Sequence, residues 1–134
     1  MRFGKDAKTE LISRAPLFSH CSKGELRQIA SIADEIDIPE GRELTKEGSR
    51  GREFFVIIEG TASVAQDGVL INNLGAGDFF GEVALVRDTP RTATVTATSP
   101  VRALVVTAQN FRHLIGRQPD IERTILKALV DRFP

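Results

Sequence analysis

The segment Phe80-Gly81-Glu82-Val83-Ala84-Leu85-Val86-Arg87-Asp88-Thr89-Pro90-Arg91-Thr92-Ala93-Thr94-Val95 is the most informative part of this chain. Gly81 and Glu82 stand at the start of a predicted short helical turn, and Arg91 follows at the entrance to a predicted strand. Backbone N–H groups at a helix start attract anions, and a guanidinium grips phosphate oxygens through charge-assisted hydrogen bonds. A carboxylate can accept a hydrogen bond from a ribose hydroxyl. The segment therefore predicts a site for a small ligand that carries both a phosphate and a sugar hydroxyl.

The two charged residues Glu82 and Arg91 indicate a binding site only when they are considered together. Alone, Glu82 would be a helix-start carboxylate that favours the local dipole, and Arg91 would be a solvated loop residue. They stand at the two ends of a tight excursion, which is expected to bring them close together. Gly81 permits close approach of the backbone to a ligand, and Pro90 stiffens the path to Arg91 because it fixes its own φ. The small Ala84 leaves room beside a phosphate.

Short β-rich runs surround this segment from residue 34 to residue 107. They alternate with turn residues at intervals of roughly eight to twelve positions, a spacing typical of an antiparallel sandwich or barrel. Asp67-Gly68 separates two such runs and is a strong signal for a two-residue hairpin. The segment from 80 to 92 interrupts the pattern between two predicted strands. We therefore expect an antiparallel β-roll or jelly-roll of about eight strands.

A helical region is predicted before the roll, over residues 5–33. Ser22-Lys23-Gly24-Glu25 is a capping box, in which Ser22 is the N-cap and Glu25 the third helical residue. The helix that follows carries an apolar stripe at spacings of three and four: Leu26, Ile29, Ala30 and Ala33. This stripe predicts that the helix packs its inner face against the roll.

A second helical region is predicted after the roll, over residues 108–133. Thr107 is the predicted N-cap of its first helix, and Pro119 stands near the start of its second helix. The apolar face of that second helix is expected to consist of Ile121, Ile125, Leu129 and Phe133, with Leu126 and Val130 beside it. The whole chain, residues 1–134, is thus expected to be one mainly β domain with flanking helices, of the α+β class.

Composition is that of an ordinary globular protein, with 41% hydrophobic and 27% charged residues in a length of 134. Lys plus Arg and Asp plus Glu both total 18, so the formal net charge is zero. A nucleic-acid-binding domain normally shows a basic excess, and electrostatic attachment to an anionic membrane also needs one. We therefore expect neither nucleic acid nor a membrane among the partners.

Three features lead us to expect a cytoplasmic protein. Residues 1–15 contain no apolar core of signal-peptide length. The longest apolar run, residues 54–58, is too short to cross a bilayer. The single cysteine, Cys21, cannot form an intrachain disulfide, which fits a reducing compartment.

Catalytic and metal-binding chemistry find little support in the sequence. His20 and His113 are far apart and belong to no recognisable metal-ligand pattern. A β-barrel of this size also suits a metal-dependent cupin enzyme, but that would need His and carboxylate ligands clustered on the barrel strands. Cys21 has no evident His partner, and no Ser-based nucleophile motif is present. We therefore expect no enzyme activity, no metal and no cofactor.

The segment from 80 to 95 resembles the phosphate-binding cassette of the cyclic nucleotide-binding domain family. It matches the family pattern Phe-Gly-Glu, apolar, Ala-Leu, a short loop, Pro-Arg, small, Ala-Thr-Val at every defining position. Other runs resemble the family's N-terminal helical turn, its central strand and its approach to the cassette: Leu17-Phe18, residues 54–60 and residues 74–80. The resemblance covers residues 11–132 and implies the β-roll with flanking helices described above.

The resemblance also implies a role for each cassette residue. Arg91 is expected to pair with the cyclic phosphate, and Glu82 is expected to accept a hydrogen bond from the ribose 2′-hydroxyl. Backbone N–H groups around Gly81, Val83 and Ala84 are expected to complete the phosphate cradle. On this basis the cassette is the ligand-binding site of the domain.

The choice of base and the lid over it are also implied by the resemblance. Thr92 stands where many family members carry Ala, and its hydroxyl reaches a purine in the syn orientation, a feature associated with cyclic GMP. The alternative for Thr92 is an ordinary strand residue facing a cleft. Cyclic AMP remains the first ligand we expect, and cyclic GMP the second. The lid candidates are Leu129 and Phe133, for which core packing is the competing interpretation.

The function expected from this resemblance is that of a regulatory binding module and not of an enzyme. Cyclic nucleotide binding would change the arrangement of the C-terminal helices and signal to an unidentified protein partner or to a second copy. Two alternatives remain at this point. One is an interaction module that keeps the fold without binding a ligand, and the other is a sensor that prefers cyclic GMP.

Overall fold

The computed structural model of the protein describes residues 4–132. Within these residues, four α-helices lie before and after the β region: α1 (Lys5–Ser13), α2 (Lys23–Ser31), α3 (Ala108–Arg117) and α4 (Pro119–Arg132). Two short 3₁₀ helices accompany them, the N-terminal turn (Pro16–Phe18) and the cassette turn (Glu82–Leu85). None of the described helices is both long and apolar enough to cross a membrane.

The β region consists of eight strands in the described part of the chain. They are β1 (Asp34–Ile38), β2 (Glu43–Thr45), β3 (Glu53–Glu59), β4 (Ala62–Gln66), β5 (Val69–Leu74), β6 (Phe79–Phe80), β7 (Thr94–Ala97) and β8 (Val101–Thr107). They form two four-stranded antiparallel sheets, with strand orders β1-β8-β3-β6 and β2-β7-β4-β5. The predicted antiparallel β-roll with flanking helices is confirmed.

The local turn and cap signals are also confirmed. Asp67 and Gly68 adopt positive φ angles of 52° and 77°, and they connect β4 to β5 through the pair formed by Gln66 and Val69. At the start of α2, the Ser22 hydroxyl accepts from the Glu25 N–H, and the Glu25 carboxylate accepts from the Ser22 N–H. Both features depend on residues close together in the chain, which explains why the sequence predicts them well.

Two predicted element ends differ from the structure. Helix α2 ends at Ser31, so Ala33 is buried in the core but lies beyond the helix. The strand predicted to begin at Thr92 begins at Thr94. The reason lies in Arg91, whose backbone N–H donates to the Ser49 carbonyl at 2.8 Å and whose carbonyl accepts from the Gly48 N–H at 2.8 Å. The chain is therefore tied to the 48–49 turn before it joins the sheet.

The main hydrophobic core joins the helices to one face of the first sheet. Phe18, Phe54 and Phe111 are each at most 1% exposed, and they come from the N-terminal turn, β3 and α3. The Phe18 ring lies 5.8 Å from that of Phe54 and 6.0 Å from that of Phe111. Leu85 of the cassette turn belongs to the same cluster. The cassette is thus anchored in the core that also holds the helices.

Candidate functional site

One cavity of about 660 Å³ opens at the cassette. All six residues predicted from the sequence to bind a ligand line it: Gly81, Glu82, Val83, Ala84, Arg91 and Thr92. The other lining residues are Phe79, Phe80, Arg87, Thr89 and Pro90. The structure therefore brings the two ends of the cassette to one concave surface, as the sequence predicts.

The cassette turn begins at a glycine for a geometric reason. Gly81 has a φ of 84°, a left-handed conformation that residues with a Cβ adopt only with strain. A Cβ at this position would lie 2.5 Å from the Glu53 carbonyl oxygen and 2.6 Å from Arg91 Nη1. The backbone at Gly81 therefore packs closely against both β3 and the arginine.

The Arg91 side chain is held from the side of β3. Its Nη2 donates a hydrogen bond of 2.6 Å to the Glu53 carbonyl, and its Nε lies against Gly51, where a Cβ would be only 3.1 Å away. The Nε atom is shielded from solvent and has no hydrogen-bond partner within the part of the chain that the structure describes. An unpaired buried donor carries a free-energy cost, which an acceptor supplied by a ligand would remove.

Burial and charge act in opposite directions on Arg91. Its half-buried position lowers the pKa of the guanidinium, and the nearby Glu53 carboxylate raises the pKa and offsets part of this effect. An arginine titrates so far above neutrality that the group remains charged under physiological conditions. The cavity therefore offers a permanent positive charge with directed N–H donors.

Glu82 lies deeper than the sequence suggests. Its residue surface is only 7% exposed, and its Oε2 accepts a hydrogen bond of 3.0 Å from the Leu17 N–H. Leu17 belongs to the N-terminal turn, 65 positions earlier in the chain. A carboxylate has about four acceptor positions in all, so a bond from the protein does not prevent a further one from a ligand hydroxyl.

One predicted donor of the phosphate cradle, the Ala84 N–H, makes a hydrogen bond within the cassette turn, and its role in ligand binding stays a prediction. The Ala84 N–H donates to the Gly81 carbonyl at 3.0 Å within the cassette turn, so this N–H is already used by the protein. The tight 3₁₀ hydrogen-bonding pattern causes this, since it closes a ring between residues three apart. Ala84 itself is 7% exposed and contributes a small wall to the cavity.

The remaining predicted residues are placed as follows. Thr92 is exposed and lines the cavity. The lid candidates Leu129 and Phe133 cannot be placed over the cavity, because the Leu129 side chain and the whole of Phe133 lie outside the described residues. Arg87, for which the sequence analysis predicts no role, also lines the cavity.

The sequence analysis did not identify the segment 48–53, which holds both the backbone and the side chain of Arg91 in place. Gly48 and Ser49 bind its backbone, Gly51 makes room for its side chain, and the Glu53 carbonyl accepts from its guanidinium. In the sequence these glycines are only turn signals. The one indication in the sequence is that two glycines, Gly48 and Gly51, stand just before β3, since glycine near a strand often marks a close approach of another segment.

Cys21 is a half-buried side chain that packs against the main core. Burial, with a smaller contribution from the Glu25 carboxylate, raises the pKa of its thiol from 9.0 to about 12. Among the described residues, no group of three or more His, Cys, Asp and Glu side chains is arranged to hold a metal ion.

We expect Cys21 to react with iodoacetamide at pH 8 at least about tenfold more slowly in the folded protein than in urea, because only the thiolate is the nucleophile. The raised pKa also predicts that folding stability falls as the pH rises from 9 toward 12, where the unfolded thiol ionises first. Mass spectrometry of alkylated protein measures the rate. Equal rates in both states would contradict the burial of this thiol.

The chain is similar to known proteins over most of its length. The family model described as the cyclic nucleotide-binding domain matches residues 35–118. A cyclic nucleotide-gated potassium channel from Rhizobium etli is 35% identical over 123 residues, which are 92% of this chain and 34% of the channel. The chain thus spans about a third of the length of that relative.

Three solved structures have a similar fold. The N-terminal domain of a transcriptional regulator from Streptomyces coelicolor has a TM-score of 0.82 and 25% identity, with 91% of each chain covered. A cyclic nucleotide-binding-like protein from Brucella abortus has a TM-score of 0.76 and 26% identity, covering 83% of this chain and 99% of that one. The cAMP-bound PfPKA-R has a TM-score of 0.69 and 26% identity, covering 95% of this chain and 46% of that one.

Proposed function

Since this chain belongs to the cyclic nucleotide-binding domain family, we propose that it is a regulatory module that binds cyclic AMP and transmits the binding event to a partner. The membership follows from the family match over residues 35–118 and from the relative that is 35% identical over 92% of the chain. We propose a binding role and no catalytic one, because the polar groups of the cassette cavity are suited to hold a nucleotide.

The observation that carries this proposal is the state of Arg91. Its guanidinium is charged, lines the cassette cavity and has one buried N–H donor without a partner. The cyclic phosphate of a nucleotide has two exocyclic oxygens, which can accept two parallel hydrogen bonds from a planar guanidinium fork. A phosphate bound there would satisfy the unpaired donor and neutralise the charge at once.

Glu82 supports the sugar part of the same ligand. Glu82 lines the same cavity as Arg91, and its carboxylate is held in place by the N–H of Leu17. A fixed carboxylate can accept a hydrogen bond from a ribose hydroxyl without the entropy loss of ordering a mobile side chain. We assign the 2′-hydroxyl to this group and the phosphate to Arg91.

Cyclic AMP is the preferred ligand in this proposal. The similarity to the cAMP-bound PfPKA-R supports this choice. Cyclic GMP is the second candidate, because Thr92 is exposed and lines the cavity, where its hydroxyl can donate to or accept from a purine.

Packing supports a path from the ligand to the C-terminal helices. The cassette turn contacts α3, and Leu85 of that turn lies in one cluster with Phe111 and Leu114 of α3. A shift of the turn on ligand binding must therefore be followed by repacking, since close-packed cores do not deform continuously. We propose that α3 and α4 adopt a different arrangement in the liganded state.

We propose that the surface through which the domain signals to a partner lies on α4. Leu126 and Val130 are 53% and 69% exposed, and together with His20 they line a shallow pocket. Exposed apolar side chains of this size favour association with a protein surface. We propose that a protein partner, or a second copy of this chain, contacts this helix.

Calorimetric titration tests the proposal, with cyclic AMP first, cyclic GMP second and linear AMP as the control. We expect saturable binding of cyclic AMP, weaker binding of cyclic GMP and none of AMP, which lacks the cyclic phosphate. At a ligand concentration of 100 times Kd, binding to the folded state alone adds about 2.7 kcal/mol to the free energy of unfolding. A parallel thermal melt therefore provides an independent readout.

The outcomes separate the candidate functions. Tighter binding of cyclic GMP would make the chain a cyclic GMP sensor. No heat and no thermal shift with any nucleotide, from protein that is folded, would reject the ligand-binding role and favour an interaction module that keeps only the fold. Unchanged amide exchange in residues 108–117 on cyclic AMP binding would reject the proposed role of α3.

A further inference from the structure

A second pocket, of about 550 Å³, lies where the loop before β3 meets the start of α3. Three arginines line it, Arg50, Arg52 and Arg112, against the single carboxylate of Glu53. The rest of its wall is formed by residues 107–109 at the start of α3. For a chain with a formal net charge of zero, this is a strong local excess of positive charge.

Arg52 is the residue that marks this pocket as a candidate site. Its Nε and Nη2 atoms are shielded from solvent, and neither has a hydrogen-bond partner among residues 4–132. A guanidinium has five N–H donors and no acceptor, so only an acceptor from outside can satisfy these two. Leaving charged donors buried and unpaired is unfavourable, and an anion bound in this pocket would remove that cost.

The position of Arg52 is set by the fold. Its carbonyl accepts a hydrogen bond of 2.8 Å from the Ala108 N–H, which joins the start of β3 to the first residue of α3. Arg112 stands one helical turn after Ala108, on the same side of α3. The partial positive charge at the start of α3 adds to the field of the two side chains.

The third arginine contributes less. Arg50 forms an ion pair of 3.5 Å with Asp88, and the two side chains are 70% and 53% exposed. Exposed ion pairs of this kind are weak and are screened by salt, so Arg50 can turn toward an anion at low cost. Among the described residues, the pocket therefore offers two guanidinium groups without a carboxylate partner and a third that is only loosely held.

We propose that this pocket is a second anion site, which binds a doubly charged phosphate group and is separate from the cassette cavity. The guanidinium fork matches the tetrahedral oxygens of a phosphate, and a charge of −2 balances Arg52 and Arg112. Glu53 contributes to both sites: it lines this pocket, and its backbone carbonyl accepts a hydrogen bond from Arg91. The second site does not depend on the proposed nucleotide binding, since none of its arginines lines the cassette cavity.

The test uses the full chain carrying Arg91→Ala, so that the cassette cannot contribute to phosphate binding. Inorganic phosphate is titrated at constant ionic strength while the backbone amide signals of Arg52, Gln109 and Arg112 are followed by NMR. We expect saturable shifts of these signals. A second titration, with phenyl phosphate, distinguishes two sources of the phosphate group. Tighter binding of the ester would assign the site to a phosphate carried on a larger molecule, whereas equal binding would assign it to the free ion.

Variants in the same background make the test decisive. Arg112→Gln removes one charge from an exposed position, and we expect its affinity for phosphate to fall about tenfold or more. Arg117→Gln is the matched control, at the exposed other end of α3, and should bind like the parent. The proposal is overturned if potassium chloride produces the same shifts, if no saturable shift is seen, or if the two glutamine variants bind equally well. Since both replaced side chains are exposed, the fold should survive, which amide dispersion checks.

Discussion

Replacement of Arg91 by alanine is expected to lower the affinity for cyclic AMP by about 100-fold or more, while the domain stays folded. The guanidinium is the positively charged group that the cassette offers to a cyclic phosphate, and a fork makes two charge-assisted hydrogen bonds. At about 1.5 kcal/mol or more each, two such bonds amount to about 3 kcal/mol, which is a factor of about 100 in Kd. Calorimetric titration of parent and variant measures this change.

The fold should tolerate this substitution because Arg91 contributes little to the core. The substitution removes one hydrogen bond to the Glu53 carbonyl, and it also removes a half-buried charge with an unpaired N–H. We therefore expect the free energy of unfolding to change by only about 1 kcal/mol. A urea melt checks this value and shows whether lost binding reflects lost structure.

Arg87→Ala is the matched control for this result. Arg87 lines the same cavity but is exposed, and its contribution to phosphate affinity is screened by solvent and salt. We expect it to weaken binding by no more than a few-fold. If Arg91→Ala bound cyclic AMP as tightly as the parent, or if Arg87→Ala were the more damaging variant, the assignment of the phosphate to Arg91 would be wrong.

Replacement of Gly81 by alanine is expected to impair both folding and binding. The left-handed φ of 84° costs a residue with a Cβ about 1–2 kcal/mol. The new methyl group would also lie 2.5 Å from the Glu53 carbonyl oxygen, which belongs to the backbone of β3 and cannot rotate away. Together with an overpacking cost of about 1–3 kcal/mol, we expect the unfolding free energy to fall by about 2–5 kcal/mol.

Binding suffers in this variant because the same methyl group meets Arg91. It would lie 2.6 Å from Nη1, so the guanidinium fork must move out of its position. Loss of even one charge-assisted hydrogen bond weakens cyclic AMP binding by about tenfold or more. Titration at a temperature where a melt shows the variant to be folded separates this effect from unfolding.

Gly75→Ala is the control for Gly81→Ala. Gly75 precedes β6 on the approach to the cassette, it has no positive φ, and a Cβ there would meet nothing within 4 Å. We expect stability and affinity close to those of the parent. Equal behaviour of the two alanine variants would show that the close approach of Gly81 to β3 has no importance for the site.

Much of this protein could be predicted from residues that are neighbours in the chain. The hairpin at Asp67-Gly68 and the capping box at Ser22 depend on turn and cap chemistry that acts over two to four residues. The cassette is one continuous segment, so the sequence alone identified six of the residues that line its cavity. Its family pattern is equally local, and the match over residues 35–118 confirms it.

Element ends were predicted less well. The strand after the cassette begins at Thr94 because the backbone of Arg91 is tied to the 48–49 turn, which no local pattern indicates. The hydrogen bond from the Ala84 N–H to the Gly81 carbonyl inside the 3₁₀ turn is likewise visible only in the folded chain.

The sequence by itself therefore determined the fold class, the cassette and the residue types that face a ligand, because periodicity, turns and caps are encoded in adjacent positions. Only the tertiary structure decided how those residues are held. It places Glu53 under Arg91, 38 positions away, and Leu17 against Glu82, 65 positions away. It also gathers Arg52 and Arg112 around a second pocket. The physical reason is that sheet pairing and core packing bring distant segments together, and no short window of sequence records which ones will meet.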